Sequence, residues 1–276
     1  MNLTGPLVLV GCGKMGGALL EGWLSRGLRP ADVWIVEPNA ASLQGEIARG
    51  VHHAADAAAL PADLKPALLV FAVKPQMLAA ALPAYRRFAD PESPGGGAAA
   101  LSIAAGWRIA GFEKVLGAKT PIVRAMPNTP AAVGRGMTVL CANDRADAKL
   151  RELCGDLMAA VGETAWVDDE GLIDAVTAVS GGGPAYVFLL IECLAKAGVE
   201  AGLPEDLAMQ CARVTVAGAG ELVHIASEPA SKLRENVTSP GGTTLEALKI
   251  LMADDGLQPL MTRAIAAATK RSRKLG

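Results

Sequence analysis

The sequence holds only three histidines, His52, His53 and His224, and its five cysteines form no C-x-x-C pair, so neither residue type offers the spacing of a zinc site. An odd set of thiols (Cys12, Cys141, Cys154, Cys193, Cys211) argues against a disulfide framework, and a reducing, cytoplasmic location without a metal is expected. Excess charge is missing too: 26 Lys plus Arg face 28 Asp plus Glu, and the one basic cluster is Lys270, Arg271, Arg273 and Lys274. That balance removes the electrostatic footprint of a nucleic-acid binder. The longest uncharged run, 175–191, has 17 residues and is broken by Ser180, three glycines and Pro184, which falls short of a membrane span. No basic segment precedes an apolar stretch near the N-terminus, so no secretory leader is expected. No Ser-His-Asp or paired Cys-His arrangement can be assembled, and His224 is the only histidine of the second half. An enzyme whose cofactor supplies the hydride needs no such nucleophile, because the protein then contributes position and electrostatics.

What is present suits a large core in two domains: 276 residues, 51% apolar and 20% charged. Short apolar runs at 7–10, 33–36, 68–73, 99–103, 122–125, 137–142 and 163–167 alternate with helical segments near 15–26, 75–88, 107–116 and 146–161. This is the pattern of βαβ units, whose strands are covered on both faces. Between them, 91–97 (PESPGGG) predicts an exposed turn. Beyond 168 no strand pattern appears, and helices are predicted at 169–179, 184–202, 205–226, 230–237, 243–253 and 257–273. The expected organisation is therefore an α/β Rossmann domain over 1–167, doubly wound on a mostly parallel sheet, and an all-α domain over 168–276. The helix opening at Pro184 is apolar almost all round, and in so small a domain a second subunit is the natural source of its cover.

Gly11-Cys12-Gly13-Lys14-Met15-Gly16 follows the first strand and opens a helix, the context in which G-x-G-x-x-G signals a dinucleotide. Gly11 allows the tight turn, Gly13 lets a pyrophosphate approach the backbone, and Gly16 permits close packing, while the helix N-terminus supplies N–H donors. Glu37 closes the second strand, where a carboxylate accepts hydrogen bonds from an adenosine ribose and repels a 2′-phosphate. No Arg lies between residues 30 and 48, which taken alone favours NAD. A second reading stands beside it: Glu37 faces solvent, and Asn39 with Ser42 bonds a phosphate. Ala72-Val73-Lys74-Pro75 ends the third long strand on the rim where such sheets place ligands, although Lys74 equally suits a solvated helix start. Ser102 with Ala104, Ala105 and Gly106, and Met126-Pro127-Asn128, end later strands on the same rim; either could be a plain turn. In the helical half, Thr238-Ser239-Pro240-Gly241-Gly242-Thr243-Thr244 precedes a helix, and glycine N–H groups with hydroxyls there make a small-anion site or an ordinary cap.

Taken in order, these pieces resemble the pyrroline-5-carboxylate reductase family. The likeness covers nearly the whole chain through GCGKMGGAL, AVKPQ, SIAAG, MPNTPA, AVSGGGPAYVF, LRENVTSPGGTTLEAL and MTRAIAAATKRS, with 237–244 (VTSPGGTT) the most specific. The resemblance implies reduction of 1-pyrroline-5-carboxylate to L-proline, the last step of proline biosynthesis, by a Rossmann domain and a helical domain that interlocks with a second subunit. It implies a homodimer, or a larger assembly built from dimers, without nucleic acid or membrane. It places the substrate carboxylate on Ser239 and the backbone of Gly241, Gly242 and Thr243, with Thr244 bonding the ring nitrogen, and sets Asn236, Ala104 and Ala105 at the cofactor. Members mostly prefer NADPH, whereas Glu37 argues the other way, so NADPH with use of NADH is expected. One departure is visible: the family reads S-G-S-G-P-A-Y, and Gly182 stands for its second Ser.

Two rivals remain at this level. A β-hydroxyacid dehydrogenase would need a general acid/base lysine, for which Lys196 is the candidate, but its usual flanking Asn is missing. A non-catalytic NAD(P) sensor would keep the glycine loop and have no reason to keep the anion loop.

Overall fold

The computed structural model describes residues 3–93 and 96–275; of the turn expected at 91–97, residues 94 and 95 lie outside the described residues. Two compact units form, one from Met1–Gly181 with Ala268–Gly276 and one from Gly182–Ala267.

In the first unit, β1 (Leu7–Val10), β2 (Val33–Val36), β3 (His52–Ala54), β4 (Leu68–Phe71), β5 (Ala99–Ser102), β6 (Ile122–Met126), β7 (Gly136–Ala142) and β8 (Gly162–Trp166) make one sheet in the order β3-β2-β1-β4-β5-β6-β7-β8. Only the β6–β7 pairing is antiparallel. The winding reverses between β1 and β4, and the carboxyl ends of those strands open a crevice. The helices are α1 (Lys14–Ser25), α2 (Gln44–Ala48), α3 (Pro75–Ala81), α4 (Arg86–Ala89), α5 (Ile109–Leu116), α6 (Ala148–Ala159) and α7 (Leu172–Val176).

Strand alternation sorts the core into two layers. Leu7 and Leu9 face Leu19, Leu20 and Trp23 of α1 with Leu157 and Met158 of α6. Val8 and Val10 face Leu78, Tyr85 and Phe112 on the other side. Every residue of β1 and β4 is buried, so both strands are apolar throughout. Trp23 is fully buried and its indole donates to the Leu157 carbonyl at 2.8 Å, which satisfies its one polar atom.

Two local departures from the sequence expectation have plain causes. The edge strand β3 reads His-His-Ala and carries no apolar signal; it forms beside β2, where Trp34 and His52 stack at 4.5 Å. The helix expected over 75–88 divides into α3, a tight turn at Leu82–Tyr85 and α4, because Pro83 has no N–H to continue the ladder. After α7 the chain widens into a π-helical turn, Thr177–Gly181. The last turns of the C-terminal helix belong to this unit: buried Ser272 donates to Asp174 Oδ1 at 2.7 Å, and Asp174 Oδ2 pairs with Arg108 at 3.1 Å.

The second unit consists of α8 (Gly183–Glu200), α9 (Glu205–Ile225), α10 (Ala230–Asn236), α11 (Thr243–Leu251) and α12 (Leu257–Leu275) up to residue 267. Small residues let α8 and α9 approach closely: a Cβ on Gly198 would touch Ala208 Cβ at 3.2 Å. Ala195 is the only buried residue of α8, and Phe188 and Leu189 are 59% and 57% exposed.

Candidate functional site

The first strand delivers the chain to Gly11 with φ +87°, a conformation suited to glycine, and a Cβ there would press on Val73 Cγ1 at 2.8 Å. A Cβ on Gly16 would collide with the Gly11 carbonyl. Gly13 differs: a Cβ added to it meets nothing within 4 Å. It stands at the N-cap of α1 with no side-chain cap, so the first-turn N–H groups and the positive end of the helix face open space.

That space adjoins a cleft of about 460 Å³ at the carboxyl ends of β1, β2 and β4, bordered by Gly13, Glu37, Asp56, Lys74, Met77 and Tyr85 among mostly apolar neighbours. Glu37 does not simply face solvent. Its Oε2 accepts the Cys12 N–H at 3.1 Å and its Oε1 the Asn39 N–H at 3.3 Å, which ties the end of β2 to the glycine loop. Its carbonyl is 2.8 Å from His53 Nε2. Asp56 caps the turn after β3 by accepting from the Ala58 and Ala59 N–H groups at 2.9 Å. Burial, with Glu46 and Glu37 adding to it, pushes the Cys12 thiol up to about 12, so the loop carries a neutral sulfur. Burial and then Asp56 hold the Tyr85 phenol above its usual range.

Apart from Gly16, packed against the Gly11 carbonyl, and Asn236 in the second unit, the expected cofactor residues fall into three groups. Gly11, Gly13, Glu37, Ala72, Val73 and Lys74 line the cleft. Cys12, Asn39 and Pro75 sit beside it, the first two through their bonds to Glu37 and Pro75 as the first residue of α3; Lys14 and Met15 open α1. Ala104, Ala105, Met126, Pro127 and Asn128 lie in loops after β5 and at the end of β6. Ala104 is buried and its N–H donates to Ser102 at 3.2 Å. The Asn128 side chain is committed within the unit: its Nδ2 donates to the Ser180 carbonyl and hydroxyl at 3.2 Å, and its Oδ1 accepts the Met137 N–H at 2.8 Å. It thereby fixes the glycine-rich turn before α8, in which Gly182, the departure from the family, is the N-cap.

Asp56, Met77 and Tyr85 also border the cleft, and no motif in the sequence marks them. Met77, Ala80 and Ala81 do share one face of α3 at i, i+3 and i+4, which was the available signal.

In the second unit, Gly241 takes φ +71° and the Gly242 N–H returns to the Ser239 carbonyl at 3.0 Å. Gly242 is the N-cap of α11, and among the described residues no side chain caps that helix. A Cβ on Gly242 would lie 2.5 Å from Ser239 Oγ, so only glycine leaves that hydroxyl beside the helix start. Ser239, Thr243, Thr244 and Asn236 are exposed. Hydroxyls and uncapped N–H groups at the positive end of a helix suit a small carboxylate. Lys196 lies instead in a groove with Glu192, Glu205 and Asp206. Among the described residues no group of His, Cys, Asp and Glu is placed to hold a metal ion.

Comparison with known proteins gives two family matches: "Pyrroline-5-carboxylate reductase dimerisation" over residues 170–275, and "NADP oxidoreductase coenzyme F420-dependent" over residues 6–92. The chain is 38% identical to the pyrroline-5-carboxylate reductase of Pseudomonas aeruginosa over 275 residues, covering 99% of this chain and 97% of that protein. It is 41% identical to the Synechocystis enzyme of the same name over 212 residues, 76% and 75% of the two chains. Among solved structures, the Coxiella burnetii pyrroline-5-carboxylate reductase superimposes with a TM-score of 0.90 at 32% identity, covering 99% of each chain. The Plasmodium falciparum pyrroline carboxylate reductase with NADP bound gives 0.81 at 27% identity, covering 100% of each.

Proposed function

The chain belongs to the pyrroline-5-carboxylate reductase family, and we infer from its own residues how the reaction is shared among them. It is an NADP(H)-using oxidoreductase that reduces 1-pyrroline-5-carboxylate to L-proline, the step that completes proline biosynthesis. The reduced nicotinamide supplies the hydride. The protein's part is to bind, orient and manage one proton.

The cleft fits a dinucleotide, because the open space over Gly13 leaves the α1 amides free to meet a pyrophosphate. In this reading Gly11, Cys12, Gly13, Lys14, Met15 and Gly16 form the pyrophosphate loop, and Glu37 and Asn39 hold the adenosine ribose. Ala72, Val73, Lys74 and Pro75 flank the cofactor, followed by Ala104, Ala105, Met126, Pro127 and Asn128, with Asn236 from the helical region. Ser239 and the backbone of Gly241, Gly242 and Thr243 take the substrate carboxylate. Thr244 bonds the ring nitrogen. Hydride adds to the imine carbon, the π pair moves to nitrogen, and the nitrogen carries a proton; a protonated iminium accepts hydride best, and the Thr244 hydroxyl stabilises that N–H. The observation that carries the substrate assignment is the uncapped start of α11 beside the Ser239 hydroxyl. Steady-state oxidation of NADPH and NADH with 1-pyrroline-5-carboxylate should saturate and yield one proline per cofactor consumed. Absence of turnover with both cofactors overturns the assignment.

The chain forms a homodimer through its helical region. We propose that the apolar surface of α8 is the buried face, and that dimers assemble further. Leu172–Glu200 is long and apolar enough to cross a bilayer by composition, yet Glu192, Lys196 and Glu200 stud its second half, which suits a protein partner better than lipid. Light scattering at micromolar concentration should return an even number of chains, and a stable, active monomer counts against it. A cytoplasmic location is proposed on the five unpaired cysteines.

A further inference from the structure

We propose that this reductase binds NADH more tightly than NADPH, because Glu37 and Asp56 together turn the adenosine end of its cleft against a 2′-phosphate. The inference rests on the reading of the cleft as the cofactor site. Glu37 follows β2 and Asp56 follows β3, the two strands on one side of the crevice, and both border the same cleft. Neither carboxylate is free to swing away. Glu37 is held on both oxygens by the Cys12 and Asn39 N–H groups, and Asp56 by the Ala58 and Ala59 N–H groups.

Compensating cations are few. Among the described residues Lys74 is the one basic residue bordering the cleft, and it stands beyond β4 at the N-cap of α3. Arg87 gives its Nη2 to the carbonyls of Ala57 and Leu60 at 3.1 and 3.3 Å and lies over the Phe88 ring. Arg49 is paired with Glu21. A ribose diol presents hydroxyl donors, which a carboxylate accepts through its remaining lone pairs; a phosphate presents only further negative charge. The carboxylate that would accept from a ribose also orders the Cys12 amide, so one side chain couples the shape of the pyrophosphate loop to the choice of cofactor.

The test is equilibrium binding, free of substrate, on the full chain. Titration of the intrinsic fluorescence of NADH and of NADPH should give a dissociation constant about tenfold or more lower for NADH at low salt, with the gap narrowing as salt screens the repulsion. Glu37→Gln keeps an oxygen for the loop amide and removes the charge, so NADPH binding should tighten about tenfold relative to NADH. Asp56→Asn should move the ratio the same way by a smaller factor, and it serves as the second arm if the first variant does not fold. Tighter binding of NADPH by the wild type overturns the inference, as does a ratio that both folded variants leave unchanged; either outcome leaves the cleft standing as the cofactor site. Failure of the folded wild type to bind either nucleotide overturns that underlying reading instead, and the inference with it.

Discussion

Replacing Gly13 by valine is expected to raise the dissociation constant of the reduced cofactor about a hundredfold while the melting temperature stays close to that of the wild type. The three glycines of the loop are unequal in this respect. Gly11 needs its positive φ and has Val73 against it, and Gly16 has the Gly11 carbonyl where a Cβ would go, so side chains at either position disturb the fold itself. Gly13 has φ −71° and ψ −163°, an extended conformation open to any residue, and free space where the Cβ would stand. Valine at an N-cap costs on the order of 1 kcal/mol or less relative to glycine. In the complex the same branched side chain occupies the approach of the pyrophosphate. Losing two charge-assisted hydrogen bonds of roughly 1.5 kcal/mol each amounts to about 3 kcal/mol, or about a hundredfold in affinity. Fluorescence titration and a thermal melt on the same sample check both halves. Wild-type affinity in a folded variant would show that the pyrophosphate does not lie on this loop.

The parts of the fold that were legible in the sequence are those in which local chemistry decides. Leu7–Val10, between Pro6 and Gly11, and Val33–Val36, between Asp32 and Glu37, are short, continuous apolar runs, and a strand covered on both faces is what such runs make. His52–Ala54 was not legible, because an edge strand of this composition is held by pairing with β2 and by the Trp34 ring, neither of which is local. The site divides the same way. The glycine loop announces itself by spacing, whereas Asp56, Met77 and Tyr85 come to the cleft from separate elements that only the winding of the sheet unites. Glu37 was legible as a carboxylate at the right strand end, but its bond to the Cys12 amide depends on the register of β1 against β2. The sequence places Asn128 on the rim, but the bond of its amide to Ser180 depends on the path of the π-helical turn.

Thr244→Ala should lower kcat tenfold or more with little change in cofactor affinity, and Ser239→Ala should chiefly raise KM. The distinction follows from when each contact is made. A substrate carboxylate keeps its charge throughout the reaction, so its contact with Ser239 and the first-turn N–H groups of α11 is equal in ground and transition states, and losing part of it weakens binding. The ring nitrogen changes its bonding as hydride arrives at the adjacent carbon, from iminium to amine. A hydroxyl at that nitrogen is therefore worth more in the transition state, and about 1 to 2 kcal/mol of lost hydrogen bonding corresponds to tenfold or somewhat more in kcat. Neither substitution threatens the fold: both side chains are exposed, and no side chain serves as the cap of α11 among the described residues. Thr244→Ser provides the control, since it restores the hydroxyl without the methyl group and should recover most of kcat. Steady-state constants for the three variants with 1-pyrroline-5-carboxylate decide the matter. Wild-type kcat and KM in both alanine variants would reduce the loop to a helix start, and the carboxylate would have to be held elsewhere.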